Sequence, residues 1–196
     1  MMLAGLYLAT MGASGAPNAS ASATEWAGWA QREEGALEIG VYVLLVPSLF
    51  LFLWMFSALD CLLPQGAIST RLAGYGALAF FVFFGAAGVL MSTTASTFGF
   101  YRAFGDPTAA TVFTGTTAGY HLQAVGVWCL AMTMLATAFG LRSSGAISSG
   151  LHAGSIVLAA LAAAANLIGL GVIFGLVWIL AVAVGLLRWR TFPAAM

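Results

Sequence analysis

The sequence predicts an all-α integral membrane helical bundle, and three observations predict it. Four long stretches, residues 39–59, 72–101, 107–141 and 143–187, contain no Asp, Glu, Lys or Arg. The six arginines and six carboxylates all lie between or outside them, and lysine is absent. A charge at the bilayer centre costs about 2.5–3.5 kcal/mol on insertion scales, so charges are cleared from spans and kept in loops. Composition agrees, with 62% of residues hydrophobic and 6% charged. Ordinary soluble domains are about 25% charged. A chain of 196 residues, at about 20 residues per spanning helix, accommodates five full transmembrane helices plus a short or truncated N-terminal one. The expected organisation is a single membrane domain over residues 1–196.

Residues 1–11 are apolar but cover only about half of a 30 Å hydrocarbon core. They read as a shortened first span rather than a signal peptide, because no basic residue precedes Arg32, although Ala21-Ser22-Ala23 has the composition of a cleavage site. Residues 12–23, rich in Ser, Ala and Gly, read as a loop. Thr24 then offers a helix cap, and a short helix to about Gly35 carries Trp26 and Trp29 on one side among Glu25, Arg32, Glu33 and Glu34. Tryptophan favours the headgroup level, so residues 14–35 are expected to form an extracytoplasmic interfacial segment.

The second span is expected at about 36–60, with Pro47 removing one intrahelical hydrogen bond and kinking it. A third follows at about 72–96, where Phe80, Phe81, Phe83 and Phe84 suggest a bulky lipid-facing sector. Arg102, Asp106 and Pro107 mark residues 97–116 as a surface loop with partial helix. The fourth span runs from about 117 to 141, and a Ser/Gly-rich turn occupies 142–150. Residues 151–187 are uncharged over a length of about 55 Å if straight, too long for one span. Two spans result, at 151–165 and 171–187, with the turn at Asn166, Gly169 and Gly171.

Arginine placement sets the orientation. Arg71, Arg142, Arg188 and Arg190 fall on one side of this topology and Arg32 and Arg102 on the other, which makes the first side cytoplasmic and puts the C terminus inside. A multi-pass protein of a bacterial plasma membrane is the expected location. Zero net charge without a basic stripe excludes nucleic-acid binding.

The uncharged spans leave little material for catalysis. No nucleophile stands beside a base, no glycine loop precedes a helix to cradle phosphate, and no metal-ligand cluster appears, so a non-enzymatic protein without metal or cofactor is expected. Cys61 and Cys129 read as a surface thiol and a packing residue. His121 opens the fourth span at its outer end and His152 the fifth at its inner end, too far apart in depth to share one haem. A haem-binding redox subunit is therefore the least favoured function.

One constellation invites a binding site. Glu38 and Tyr42, four apart on one helix face, and Tyr120, His121 and Gln123 gather at the outer ends of the second and fourth spans. Should those spans touch, a carboxylate, two phenols, an imidazole and an amide converge into a ligand pocket, where a boundary ionisable group is a functional candidate. Otherwise Glu38 simply caps its span in water. The pairs Gly115/Gly119, Gly150/Gly154 and Gly171/Gly175, joined by the alanine run 159–165, offer small faces for close helix packing, for a membrane protein partner or for a homo-oligomer.

The polar Ser/Ala segment, the helix holding Trp26 to Glu34, the Leu/Phe-rich second span and the closing double span ending near Arg190 occur in an order that resembles a broad group of uncharacterised actinobacterial integral membrane proteins of six-span, domain-of-unknown-function type. That resemblance implies a six-span bundle and brings no activity or binding residues. The resemblance implies a complete first span in members of the group, and by that comparison this chain is expected to start part-way through one. The expected function is a structural or partner-binding membrane component in contact with the lipid bilayer. The alternative is a protein that binds or transports a small molecule or lipid through the outer polar pocket.

Overall fold

The computed structural model describes residues 17, 21–33, 35–36, 39–95, 108–168 and 170–191, and among these the chain is all-α with six α-helices. They are α1 Ala23–Arg32, α2 Val46–Asp60, α3 Ile68–Ala95, α4 Ala109–Ser143, α5 Ser149–Ala165 and α6 Gly171–Thr191. A π-helical segment Ile39–Leu45 leads into α2, and a 3-10 turn Asn166–Ile168 separates α5 from α6. Three runs are long and apolar enough to cross a membrane: Ile39–Asp60, Ile68–Leu90 and Ala109–Ser143, with α5 and α6 as shorter apolar helices. The short span expected at residues 1–11 lies outside the described residues. Two compact units divide the chain, Met1–Phe52 with Val82–Gln123 and Leu53–Phe81 with Ala124–Met196.

In the first unit, α1 is capped two residues earlier than Thr24 suggests. Ser22 is the cap: its Oγ accepts from the Glu25 amide at 3.3 Å, while the Glu25 carboxylate accepts from the Ser22 amide at 2.7 Å. This reciprocal box satisfies two amides that would otherwise be orphaned. The bonds from the Ser22 backbone and then its hydroxyl hold the Glu25 carboxyl below the usual glutamate range. Trp26 and Trp29 are both buried, their rings meeting edge-to-face at 5.5 Å, in a cluster with Val112 of α4. Two large rings bury more apolar area against each other and a helix than either could alone.

Pro47 acts on the turn before it. Lacking an N–H and crowding the carbonyl four residues back, it follows a segment that has widened to π-helix, and the Ser48 hydroxyl donates to the Leu44 carbonyl. Val41, Leu45 and Leu49, spaced by four, form the buried face of this stretch. Leu45 packs so closely on Gly88 of α3 that a Cβ there would sit 2.5 Å from Leu45 Cδ2. The phenylalanine sector of α3 is split rather than lipid-facing: Phe84 in this unit and Phe80 in the other are buried, while Val82 between them is exposed. A four-residue spacing puts two rings on the packed side of a helix whatever their bulk.

The greatest departure from expectation is the start of α4. Residues 109–116, the end of the link expected to be loop with partial helix, are continuous with the fourth span, and the whole helix is 35 residues, about 52 Å long. The Thr108 hydroxyl accepts from the Thr111 amide at 3.2 Å to cap it, and the Thr117 hydroxyl returns to the Phe113 carbonyl at 2.8 Å. Five threonines and a glycine over residues 108–117 lower intrinsic helix propensity, but local hydroxyl bonds and packing against α1 override that preference.

In the second unit, α5 and α6 form an antiparallel hairpin held at successive levels. Leu151 packs on Gly185, Ser155 meets Trp178, and the Ala162 carbonyl approaches Gly171. The Trp178 indole donates to Ser155 Oγ at 3.1 Å with both residues fully buried. Asn166 ends α5 and also reaches across to α4, donating from Nδ2 to the Ala124 carbonyl at 2.9 Å. Close approach is concentrated at single glycines: Gly76 against Cys129 and Thr133, Gly140 against Leu63, Gly175 against Leu130. Of the three glycine pairs expected to pack, Gly171/Gly175 does, whereas Gly150 and Gly154 stand exposed with no close neighbour. Between α4 and α5, Gly145 takes φ 73°, a left-handed cap favouring glycine. Cys61 and Cys129 are both free thiols.

Candidate functional site

The α1 capping box and the first turns of α4 create a recess that carries a functional reading. Starting α1 at Ser22 sets Trp26 one turn into the helix, where Trp29 and Val112 hold its ring. On α4, Phe113, Thr116, Thr117 and Tyr120 follow the i, i+3, i+4, i+7 spacing of one helix face, and His121 adjoins it. Together with Pro17 and Trp26 they line a hollow of about 470 Å³ within the first unit. Small-molecule sites run from roughly 300 to 1,000 Å³ and are mostly apolar with a few placed polar groups, and this hollow has that character.

Its electrostatics are simple. No Asp, Glu or Arg is among the described residues that line it. The Thr117 proton is committed to the Phe113 carbonyl, so its oxygen presents acceptor lone pairs. A neutral His121 ring carries one donor and one acceptor. Three aromatic rings, an imidazole and two threonines can enclose a flat or amphipathic molecule and fix one polar end. They offer no charged partner to an ionic head.

The five residues singled out from sequence fall out as follows. Tyr120 and His121 line the hollow. Tyr42 lies on the π-helical segment with its side chain 46% exposed, and Gln123 is half-buried on α4; neither is among the lining residues. Glu38 lies outside the described residues. Sequence reasoning missed Trp26, Phe113, Thr116 and Thr117, and the helical spacing of the last three with Tyr120 is the signal that would have found them had α4 been started at 109.

His152 is engaged elsewhere. In the second unit its Nδ1 lies 3.3 Å from the Ala138 carbonyl and its ring stands edge-on to Phe139 at 4.8 Å. Among the described residues no group of three or more His, Cys, Asp or Glu could hold a metal ion.

These features define a helical protein with three long apolar helices that could span a membrane. No protein-family model, no curated protein and no solved structure matches the chain.

Proposed function

We propose that this protein is a multi-pass membrane protein that binds a small amphipathic molecule or lipid in the hollow between α1 and the start of α4. The observation that carries the reading is the hollow itself: about 470 Å³, with Trp26, Phe113, Tyr120 and His121 among the described residues that line it. In this reading α5 and α6, about 26 and 32 Å long at 1.5 Å per residue, cross the bilayer beside the three longer runs. That makes five full spans in one membrane domain, in keeping with the order of features shared with six-span membrane proteins. The arginine distribution supports a cytoplasmic C terminus in a bacterial plasma membrane. The test is native mass spectrometry of protein purified from its own membranes in mild detergent. The expected result is a small molecule retained by the wild type and lost from Thr117→Phe, whose new ring occupies the hollow from an exposed position. Equal small-molecule content in the two proteins would sink the reading.

A second reading, a partner-binding or self-associating membrane component, is favoured by α5. Gly150, Ala153, Gly154, Ala160 and Ala164 are exposed on it, and a Cβ at Gly154 would meet no atom within 4 Å. Small residues let helix backbones approach closely in lipid. Crosslinking between cysteines introduced at Ala153 would give dimers if this face self-associates, and monomers alone would exclude a homo-oligomer through it.

A further inference from the structure

The lining of the hollow constrains its occupant beyond size. No Asp, Glu or Arg is among the described residues that line the recess, and an unpaired charge taken from water is expensive, so these residues favour a neutral head. The rings of Trp26, Phe113 and Tyr120 surround the space, and aromatic faces and edges favour a flat conjugated partner in offset or edge-on contact over a branched aliphatic one. His121 supplies the polar contact: in its neutral form one ring nitrogen donates to a carbonyl and the other accepts from a hydroxyl. Phe113 and Tyr120 are themselves 39% and 38% exposed, so the hollow opens along apolar surface by which a hydrocarbon tail can leave.

We infer that the occupant is a lipid of the quinone class, with its ring among Trp26, Phe113 and Tyr120 and a ring oxygen on His121. This rests on the binding reading above and names its ligand class. Quinone carbonyls accept from the imidazole, and the hydroxyls of the reduced form donate to it, so one site receives either form without any change in the protein's charge.

The experiment uses the full chain in nanodiscs of uncharged lipid, titrated with a benzoquinone bearing a ten-carbon tail, with tryptophan fluorescence as the readout. Quinones quench an indole they contact. The expected result is saturable quenching that loses most of its amplitude in Trp26→Phe, is abolished in Thr117→Phe, and shifts to about five- to tenfold weaker affinity in His121→Ala, the loss of one hydrogen bond. Circular dichroism of each variant separates lost binding from lost fold, and the exposed Thr117 site keeps the test usable if Trp26→Phe unfolds α1. Decyltrimethylammonium and decanoate, with the same tail and charged heads, are run as competitors against a fluorescent lipid probe. Saturable displacement by either of these but not by the quinone overturns the quinone assignment and leaves the binding reading intact. Quenching that never saturates, or is the same in Thr117→Phe, overturns the assignment as bilayer partitioning. No saturable binding by any probe overturns both.

Discussion

The buried pair Trp178 and Ser155 is the most exacting side-chain contact in the second unit. Ser155 Oγ accepts from the indole at 3.1 Å while donating to the Leu151 carbonyl at 2.8 Å, so one hydroxyl serves both helices of the hairpin. Replacing Ser155 with Ala strands the indole N–H at a site where Trp178 is 1% exposed. In soluble proteins an orphaned buried donor costs about 1–3 kcal/mol, whereas hydrogen bonds between membrane helices average about 0.6 and reach about 1.7. If α5 and α6 cross the bilayer as proposed, the lower range applies, because the unfolded helix in lipid also finds partners. Ser155→Ala is therefore expected to cost about 1 kcal/mol in a reversible denaturation assay in mixed micelles. In a double-mutant cycle with Trp178→Phe, the coupling should account for most of that loss; additive effects would mean that the two groups do not sense each other. Neither residue advertises this role in the sequence, since each is one of many apolar or small residues and they stand 23 positions apart. Asn166 was more legible, because its amide in an uncharged stretch calls for a partner, in the turn or across helices. Its side chain takes the second course, donating to the Ala124 carbonyl of α4, while its backbone N–H closes α5.

Helices whose boundaries are marked by charge or by a change of composition were readable, and those marked only by hydroxyl bonding were not. The break at Asn166–Ile168 falls where excess length and a cluster of Asn and Gly demand it. The start of α4 falls inside a threonine-rich run, where propensity argues for loop and tertiary packing decides for helix. That one boundary also decided the site, since Phe113 and Thr116 fall in the 97–116 link until α4 begins at 109. Glycine spacing misled for a related reason: a pair four apart states that two backbones can approach, and only the fold states which pair does. Gly171 and Gly154 make the contrast measurable. A Cβ at Gly171 would lie 2.5 Å from the Ala162 carbonyl oxygen, a backbone atom that cannot step aside, whereas at Gly154 it would meet nothing. Gly171→Ala should lose about 1–3 kcal/mol as the hairpin is forced open. Gly154→Ala should be neutral or gain up to about 1 kcal/mol of helix propensity in monomeric protein. Thermal melting of the two variants in the same detergent checks the order, and a destabilised Gly154→Ala would point to a face already occupied by another helix.

Across the whole chain, the surface carries what water would not tolerate. Trp54, Leu180, Phe50 and Leu78 are exposed by 70%, 67%, 59% and 53%, and apolar exposure on this scale marks a surface meant for lipid or for another protein. Those residues lie on runs free of charge, so the apolar surface and the charge-free stretches are two views of one constraint. Orientation depends on something sparser: four arginines against two. The positive-inside preference acts on short loops close to span ends, which is where Arg71 and Arg142 stand, beside the turns 61–67 and 144–148. Because the bias is counted in so few residues, it makes a sharp prediction. In a variant with Cys61 and Cys129 replaced by serine, a cysteine at Ser144 in the exposed turn should react with a membrane-impermeant maleimide only after the cells are opened. A cysteine at Ser22, ahead of α1, should react in intact cells. Native Cys61, exposed just past α2, should behave like position 144 when it is the sole thiol retained. The opposite pattern at all three positions would invert the topology and move the hollow at Tyr120 and His121 to the cytoplasmic side. Labelling of positions 22 and 144 from the same side would mean an even number of crossings between them, leaving one of the three long apolar runs outside the bilayer core.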